Sequence, residues 1–213
     1  SMSLETESVL DRRSLRRRLG LWRGLAIGAG VIALGAASAA ILPGSRTFGP
    51  KEHIARVTVE GLITEDRDQL RMLKRLADDK AAKGVIVFIN SGGGTTSGGE
   101  AMFEAIREIA KKKPVVSQFG TVAASAAYIT GLATDHIVAR GNTITGSVGV
   151  IFQYPEVSEL LGKLGVKVNE IKSGPLKATP SPFQPLDQNG RQITEQMVAE
   201  SQRWFVGLVA DRR

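Results

Sequence analysis

Ser125 stands in G-T-V-A-A-S-A-A-Y-I, Gly120 to Ile129, directly after the apolar run Val115 to Phe119. Alanine pairs on both sides leave its hydroxyl unobstructed and let another backbone approach closely. A serine where a strand passes into a helix lies beside amides that can point at an oxyanion. The chemistry this suggests is nucleophilic acyl transfer. The same ten residues also describe a small-residue helix packed against a sheet, and by themselves they do not separate the two readings. A second candidate is Ile89-Asn90-Ser91-Gly92-Gly93-Gly94, where three glycines follow an apolar strand and bring bare amides near a ligand. It is no phosphate loop, because the Gly-Lys-Ser/Thr ending is missing, and it lacks the dinucleotide fingerprint. If both segments follow parallel strands, they open on one crevice.

A nucleophilic serine needs a base. The chain has two histidines. His53 lies just after a linker and His136 on a strand expected to be buried, so a structural role is expected of each. Lys177, in S-G-P-L-K-A-T-P-S-P-F, has no charged residue within four positions on either side. An ordinary lysine, with a pKa near 10.4, becomes a base at neutral pH only after roughly 4–5 kcal/mol of differential stabilisation, which desolvation can supply. A solvated loop lysine remains the alternative. Ser147, in T-G-S-V-G, is the rival nucleophile but lacks the glycine two residues before it that a G-x-S-x-G elbow requires. Ser91 and Ser173 are expected to hydrogen-bond locally.

The elements that must position these groups alternate. A strand is expected around Ala55, Val57 and Val59, and a helix from Asp66 with Leu70, Leu73, Leu76 and Ala77 on one face. Val85 to Ile89 reads as a strand covered on both faces. The turn Asn90 to Gly99 leads to a helix carrying Met102, Phe103, Ile106 and Ile109, stopped at Pro114. Then follow the Val115–Phe119 strand, a helix opened by the Ser125 stretch, and a short strand over His136 to Ala139. Asn142 to Ile151 reads as irregular, Glu156 to Leu164 as a helix and Val166 to Ile171 as a strand. Lys172 to Pro185 is a proline-rich loop. The last helix runs from about Asp187 to Asp211 with Ile193, Met197, Trp204 and Leu208 on one face. This alternation predicts an α/β domain with a largely parallel sheet.

Composition narrows the partners. Cysteine is absent, which excludes disulfides and thiolate metal sites. The net charge is +7 over 213 residues. Up to Arg23, six arginines face three acidic residues, so nearly half the excess sits in a short tail. No basic stripe interleaved with aromatics appears, which argues against nucleic acid. Gly24 to Leu42 carries no charge and spans roughly 28 Å as a helix, about a bilayer's hydrocarbon thickness. The arginines before it place the N-terminus in the cytoplasm and everything after Pro43 outside. Ala37-Ser38-Ala39 also fits a signal-peptide cleavage site, although the uncharged stretch exceeds the usual apolar region.

G-T-V-A-A-S-A-A-Y-I, I-N-S-G-G-G, G-N-T-I-T-G-S-V-G-V and I-K-S-G-P-L-K together resemble the signal peptide peptidase A family, in matching order over about residues 54–211. Members are membrane-anchored serine peptidases of bacteria with a Clp protease/crotonase-like fold. The resemblance implies a serine endopeptidase with Ser125 as nucleophile, Lys177 as general base and an oxyanion hole of the Gly93 and Ala126 backbone amides, with no cofactor. It further implies a homo-oligomeric ring whose neighbouring subunits complete each site. The substrates would be residual signal peptides and other unfolded hydrophobic segments, cut on the outer side of the inner membrane. The implied organisation is a basic cytoplasmic tail (1–23), a transmembrane anchor in contact with lipid (24–42), a linker (43–53) and the peptidase domain (54–213), which stops earlier than is usual in the family. Two residues depart from the family pattern. Gly92 replaces a proline, and Ala126 a glycine beside the nucleophile. They motivate an alternative, a catalytically weak or inactive scaffold or peptide-binding ring. A crotonase-like acyl-thioester enzyme would share the fold but would explain neither the membrane segment nor the serine–lysine pair.

Overall fold

The computed structural model describes residues 4–41 and 51–213, with side chains up to residue 19 and beyond residue 38 of the first segment left aside. The chain divides after Lys51 into two compact units. The first is one helix, α1 (Leu4–Ile41). Its stretch Gly20–Ser38 is long and apolar enough to cross a membrane, with a mean hydropathy of 1.5 and nothing buried. Leu25, Ile27, Val31, Ile32 and Leu34 are all exposed on it. By length and composition the stretch is a candidate membrane span. Most of the expected linker, residues 43–50, and Leu42 lie outside the described residues.

The second unit is built on parallel strands. β1 (His53–Ile63), α2 (Arg67–Asp78), β2 (Ala82–Gly94), α3 (Thr96–Ala110), β3 (Val115–Ala124), α4 (Ala126–Leu132) and β4 (His136–Val138) follow one another. The sheet order is β1-β2-β3-β4, and β5 (Ile144–Gly146) also pairs with β3. Every pairing is parallel. β4 lies along the start of β3 and β5 along its end. Asp66 and Thr95 cap α2 and α3, each accepting from amides of the first turn.

Neighbouring strands joined in sequence by right-handed crossovers place all their helices on one face. The core lies there, with Val57, Val59, Val85, Val87, Ile89, Val115 and Phe119 packed against Leu73, Met102, Ile106 and Ile109. The opposite face is open, which corrects the expectation of a doubly covered strand. Ile86 is 37% exposed and Phe88 half-buried, with the Arg56 guanidinium 4.9 Å from the Phe88 ring centre. Apolarity along β2 therefore does not report two helical layers.

Other boundaries shift for local reasons. The glycine segment remains in β2 through Gly94, opposite Ile63 of β1, so the expected turn is only Thr95 before α3. β3 likewise continues to Ala124, so the Gly120–Ile129 stretch is half strand and half helix. His136 is exposed on an edge strand rather than buried. The segment expected to be irregular contains β5, and α5 (Ser158–Lys163) is shorter than expected. Val166–Ile171 is not a strand, because no neighbour offers it a ladder; Val166, Val168 and Ile171 are exposed.

α6 (Gln188–Arg212) begins at its cap Asp187, with Gly190 buried in its first turn and Phe205 buried in its C-terminal half. Phe205, 1% exposed, packs with Ile129 and Leu132 of α4, flanked by Trp204 and Leu208. Arg212 donates from Nε to Leu132 O (2.9 Å) and from Nη2 to Thr134 O (3.0 Å). Ile193 and Met197, expected on the packed face, are about half exposed. Phe205 thus carries the attachment of α6 beneath the helix that follows Ser125. Phe205→Ala is expected to lower the unfolding free energy by about 3–5 kcal/mol. Urea denaturation of the full chain in detergent measures this, and a loss below about 1 kcal/mol would contradict the docking described.

Candidate active site

The site forms where β2 and β3 leave the sheet. Pairing between them passes from Ile89 opposite Phe119 to Ser91 opposite Ala123, so β3 bulges at residues 120–122. Asn90 fills the bulge. Its Oδ1 accepts from the Thr121 amide (3.1 Å) and the Val122 amide (3.3 Å). Gly120 makes room for it, since a Cβ there would come 2.8 Å from that oxygen. On the other side, β5 holds the end of β3. Thr145 Oγ1 donates to Ala123 O, and the Ser125 amide to Gly146 O, each at 2.9 Å.

These ties turn the chain sharply at Ser125, whose φ of 55° and ψ of −124° are unusual for a residue with a side chain. Ser125 caps α4 without any side-chain hydrogen bond, and it is half-buried. Among the described residues three non-glycines have positive φ: Ser125, Ser147 (50°) and Ala178 (59°). The three are the candidate nucleophile, its rival and the residue after the candidate base. Strain of this kind, about 1–3 kcal/mol at each position, collects at functional sites.

Gly93 lies against this turn. With φ 115°, a Cβ on it would come 2.9 Å from both Ala124 O and Ser125 Cβ and 3.2 Å from the Ala126 amide nitrogen. Only glycine fits, and it places the two expected hole amides next to the serine. Ala126, first in α4, has no helical carbonyl behind its N–H. The Gly93 N–H, by contrast, donates to Ser91 Oγ at 3.1 Å, while Ser91 Oγ lies 2.5 Å from Gly61 O. The Ala126 methyl is buried at 1% exposure and faces Gly99, where a Cβ would come within 3.1 Å of it. Gly92 is exposed with no positive φ, and a Cβ there would meet no neighbour.

Gly93, Ser125 and Ala126 therefore come together, and among the described residues no hydrogen bond joins Lys177 to them. Lys177 is exposed on the loop after Lys172, its amide bonded to Gly174 O at 3.2 Å, and no hydrogen bond links its Nζ to Ser125 among the described residues. Neither histidine can replace it. His53 opens β1 and His136 pairs with Val116 near the start of β3. Both sit at the opposite end of the sheet, roughly 25–30 Å from Ser125 at about 3.3 Å per residue. Ser147, exposed, follows the Gly146 carbonyl that holds the Ser125 amide. Among the described residues no cluster of three histidines or carboxylates is placed to hold a metal. Asn90 is the organiser that sequence reasoning missed. Its only signal is a register that sets it beside Gly120, and register is invisible before folding.

A parallel sheet with helices on one face and a site at its strand ends defines a Clp-protease-like fold, and the Clp protease family model matches residues 56–140. The model for Peptidase family S49 matches residues 107–213, half of the chain, and the protein belongs to that family. A protein of Methanocaldococcus jannaschii designated a protease is 36% identical over 147 residues, covering 69% of this chain and 47% of that protein. An Enterococcus faecium protein designated signal peptide peptidase SppA is 34% identical over 177 residues, covering 75% and 51%. Protease 4 of Haemophilus influenzae is 31% identical over 170 residues, covering 75% and 28%. The chain spans about half or less of the length of these relatives.

Because the Ser125 hydroxyl makes no hydrogen bond among the described residues, its removal costs none of these while glycine relieves the backbone. Ser125→Gly is expected to raise the unfolding free energy by about 1 kcal/mol, strain relief of about 1–3 exceeding the glycine entropy cost of about 0.5–1. Denaturation of the full chain in detergent checks this, and a variant less stable than wild type would contradict the strain.

Proposed function

We propose that the protein is a membrane-anchored serine endopeptidase working through a Ser125–Lys177 dyad. The observation that carries this reading is the strained Ser125 turn with Gly93 and Ala126 packed against it. Ser125 Oγ attacks the substrate carbonyl carbon and passes its proton to neutral Lys177 Nζ. The oxyanion of the tetrahedral intermediate is held by the Ala126 and Gly93 amides. For Gly93 this exchanges a neutral bond to Ser91 Oγ for a charge-assisted one, roughly twice as strong. On collapse, the leaving amine takes the proton from Lys177, and water then releases the acyl group from Ser125 by the same steps.

Lys177 is exposed in the single chain and must be desolvated to act as a base. We assign that cover to a neighbouring copy in a homo-oligomeric ring, each site taking its serine and its lysine from different subunits. The exposed Ile151, Phe152, Leu164, Val168 and Ile171 give such a neighbour apolar surface to bury. The uncharged segment of α1 anchors the chain as a single span in the bacterial inner membrane, with the basic tail cytoplasmic and the peptidase domain (54–213) outside. Substrates are residual signal peptides and other unfolded hydrophobic segments, in keeping with the designation of the E. faecium relative. A second reading, a peptide-binding scaffold without turnover, is favoured by the Gly93 amide being engaged by Ser91.

Ser125→Ala and Lys177→Ala are each expected to lower kcat/KM on a hydrophobic fluorogenic peptide by about 10³-fold or more, and unchanged turnover in either removes the dyad. Subunit mixing tests the shared site. Random assembly of the two inactive variants restores both groups in about a quarter of sites if they come from different copies. No recovery after mixing would place both groups in one chain. A serine-directed fluorophosphonate probe that fails to label Ser125 in the intact assembly would favour the scaffold.

A further inference from the structure

Lys177 projects from a loop with no regular secondary structure, yet both flanks of that loop meet on one carboxylate. Glu170 Oε2 accepts from Lys172 Nζ at 2.6 Å, and Oε1 accepts from Ser181 Oγ at 3.2 Å. Gln184 Nε2 adds a longer bond to Oε2 at 3.4 Å. Lys172 precedes the loop's inner turn and Ser181 follows it, so the carboxylate closes a ring of chain around Lys177. A carboxylate can accept at both oxygens, which suits it to this bridging. The Lys172 and Glu170 side chains are 17% and 27% exposed. Among ion pairs of the described residues, only this one keeps both partners below 30% exposure. It is therefore screened less than the surface pairs. The bond from Lys172 holds the Glu170 carboxyl below its ordinary value, with burial opposing and Ser181 assisting, so it is ionised at neutral pH.

Packing does part of this work, at buried Ser181 and where Thr179 meets Gly190. A cavity of about 440 Å³ lies beneath the loop, bordered by Glu170, Lys172, Thr179, Ser181, Leu186 and Asp187. Inside the ring the chain is shaped by two short-range bonds, Lys177 N–H to Gly174 O (3.2 Å) and Thr179 N–H to Leu176 O (3.3 Å), and by the positive φ of Ala178. Beyond it, Val157 N–H donates to Pro182 O (2.8 Å), and Thr179 packs on Gly190 in the first turn of α6. The loop thus has a set shape across a hollow, and Glu170 is the tie joining its two sides.

We infer that Glu170 is a positioning residue for Lys177, closing the base of the loop with Lys172 and Ser181 so that the lysine is presented in one direction to the site it serves. This rests on the reading of Lys177 as general base. A base displaced by about 1 Å can cost about 10²-fold in rate, and freeing the loop would do that while leaving peptide binding intact.

The test is a mutant cycle in the full-length protein in detergent, assayed on a hydrophobic fluorogenic peptide, with the rate of fluorophosphonate labelling of Ser125 as a second readout. Glu170→Ala is expected to lower kcat about 10–100-fold with KM within about twofold, and Glu170→Gln, which keeps an acceptor for Ser181, to recover part of the loss. Lys172→Met should follow Glu170→Ala, and it serves as the substitute where Glu170→Ala does not fold, as judged by its unfolding midpoint. The deciding comparison is made in Lys177→Ala: a residue acting only through the lysine costs nothing further there. A wild-type kcat in Glu170→Ala, a rise in KM alone, or an equal additional loss on top of Lys177→Ala would each overturn the inference. Wild-type turnover in Lys177→Ala would instead remove the base itself, a distinct result.

Discussion

A backbone turn at φ 55° on a residue with a side chain costs on the order of 1–3 kcal/mol and lasts only where its surroundings leave the chain no other course. At Ser125 those surroundings are two neighbouring strands. β5 takes the Ser125 amide on the Gly146 carbonyl, and β2 brings Gly93 within contact of Ser125 Cβ. The identities around the serine follow from this constraint. Ala123, Ala124, Ala126 and Ala127 are all buried, and Gly93 and Gly99 receive backbone and methyl at distances no larger residue would allow. The Ala126 methyl, which the bare sequence sets beside the nucleophile, is turned back toward Gly99, leaving its amide on the Gly93 side.

The same turn explains why the two serines of the Gly-rich segments have different fates. Ser91 is buried at 2% exposure and spends its hydroxyl on the carbonyl of Gly61 and the amide of Gly93. Ser125, thirty-odd residues later, has no such partner. A hydroxyl with two bonds is a strut, and among the described residues the Ser125 hydroxyl has no such bond. The expectation that Ser91 bonds locally is borne out, and the partners it finds are set by strand pairing.

The Lys177 loop is organised on a different principle from the serine turn. Close packing of small residues fixes Ser125, whereas Lys177 is carried over a hollow on a loop joined by charged and polar groups. A loop built this way keeps its shape through its own polar bonds while Lys177 stays exposed. Ile151, Leu164 and Ile171 are exposed in the same part of the chain.

Much of this was legible before folding. The alternation in β1, the helix start at Asp66 and the apolar strand before the glycine run pointed to a parallel α/β sheet, while the glycine run itself proved to be strand rather than loop. Ser125, Gly93, Ala126 and Lys177 could all be nominated from motif types and order. Illegible were the features that depend on register and on what stands opposite. They include the open face of β2, the exposure of His136, the failure of Val166–Ile171 to find a strand partner and the role of Asn90 in the bulge beside Gly120. Residue type and short-range periodicity determine which segments can be strands, helices or bare-amide turns, since propensity and patterning act within a few residues. Only the tertiary structure decided which of those groups touch, because contacts between residues thirty or fifty positions apart arise from strand pairing and crossover handedness. It is that pairing which brings Gly93 to Ser125, whereas Lys177 lies on a loop that no strand ladder ties to them.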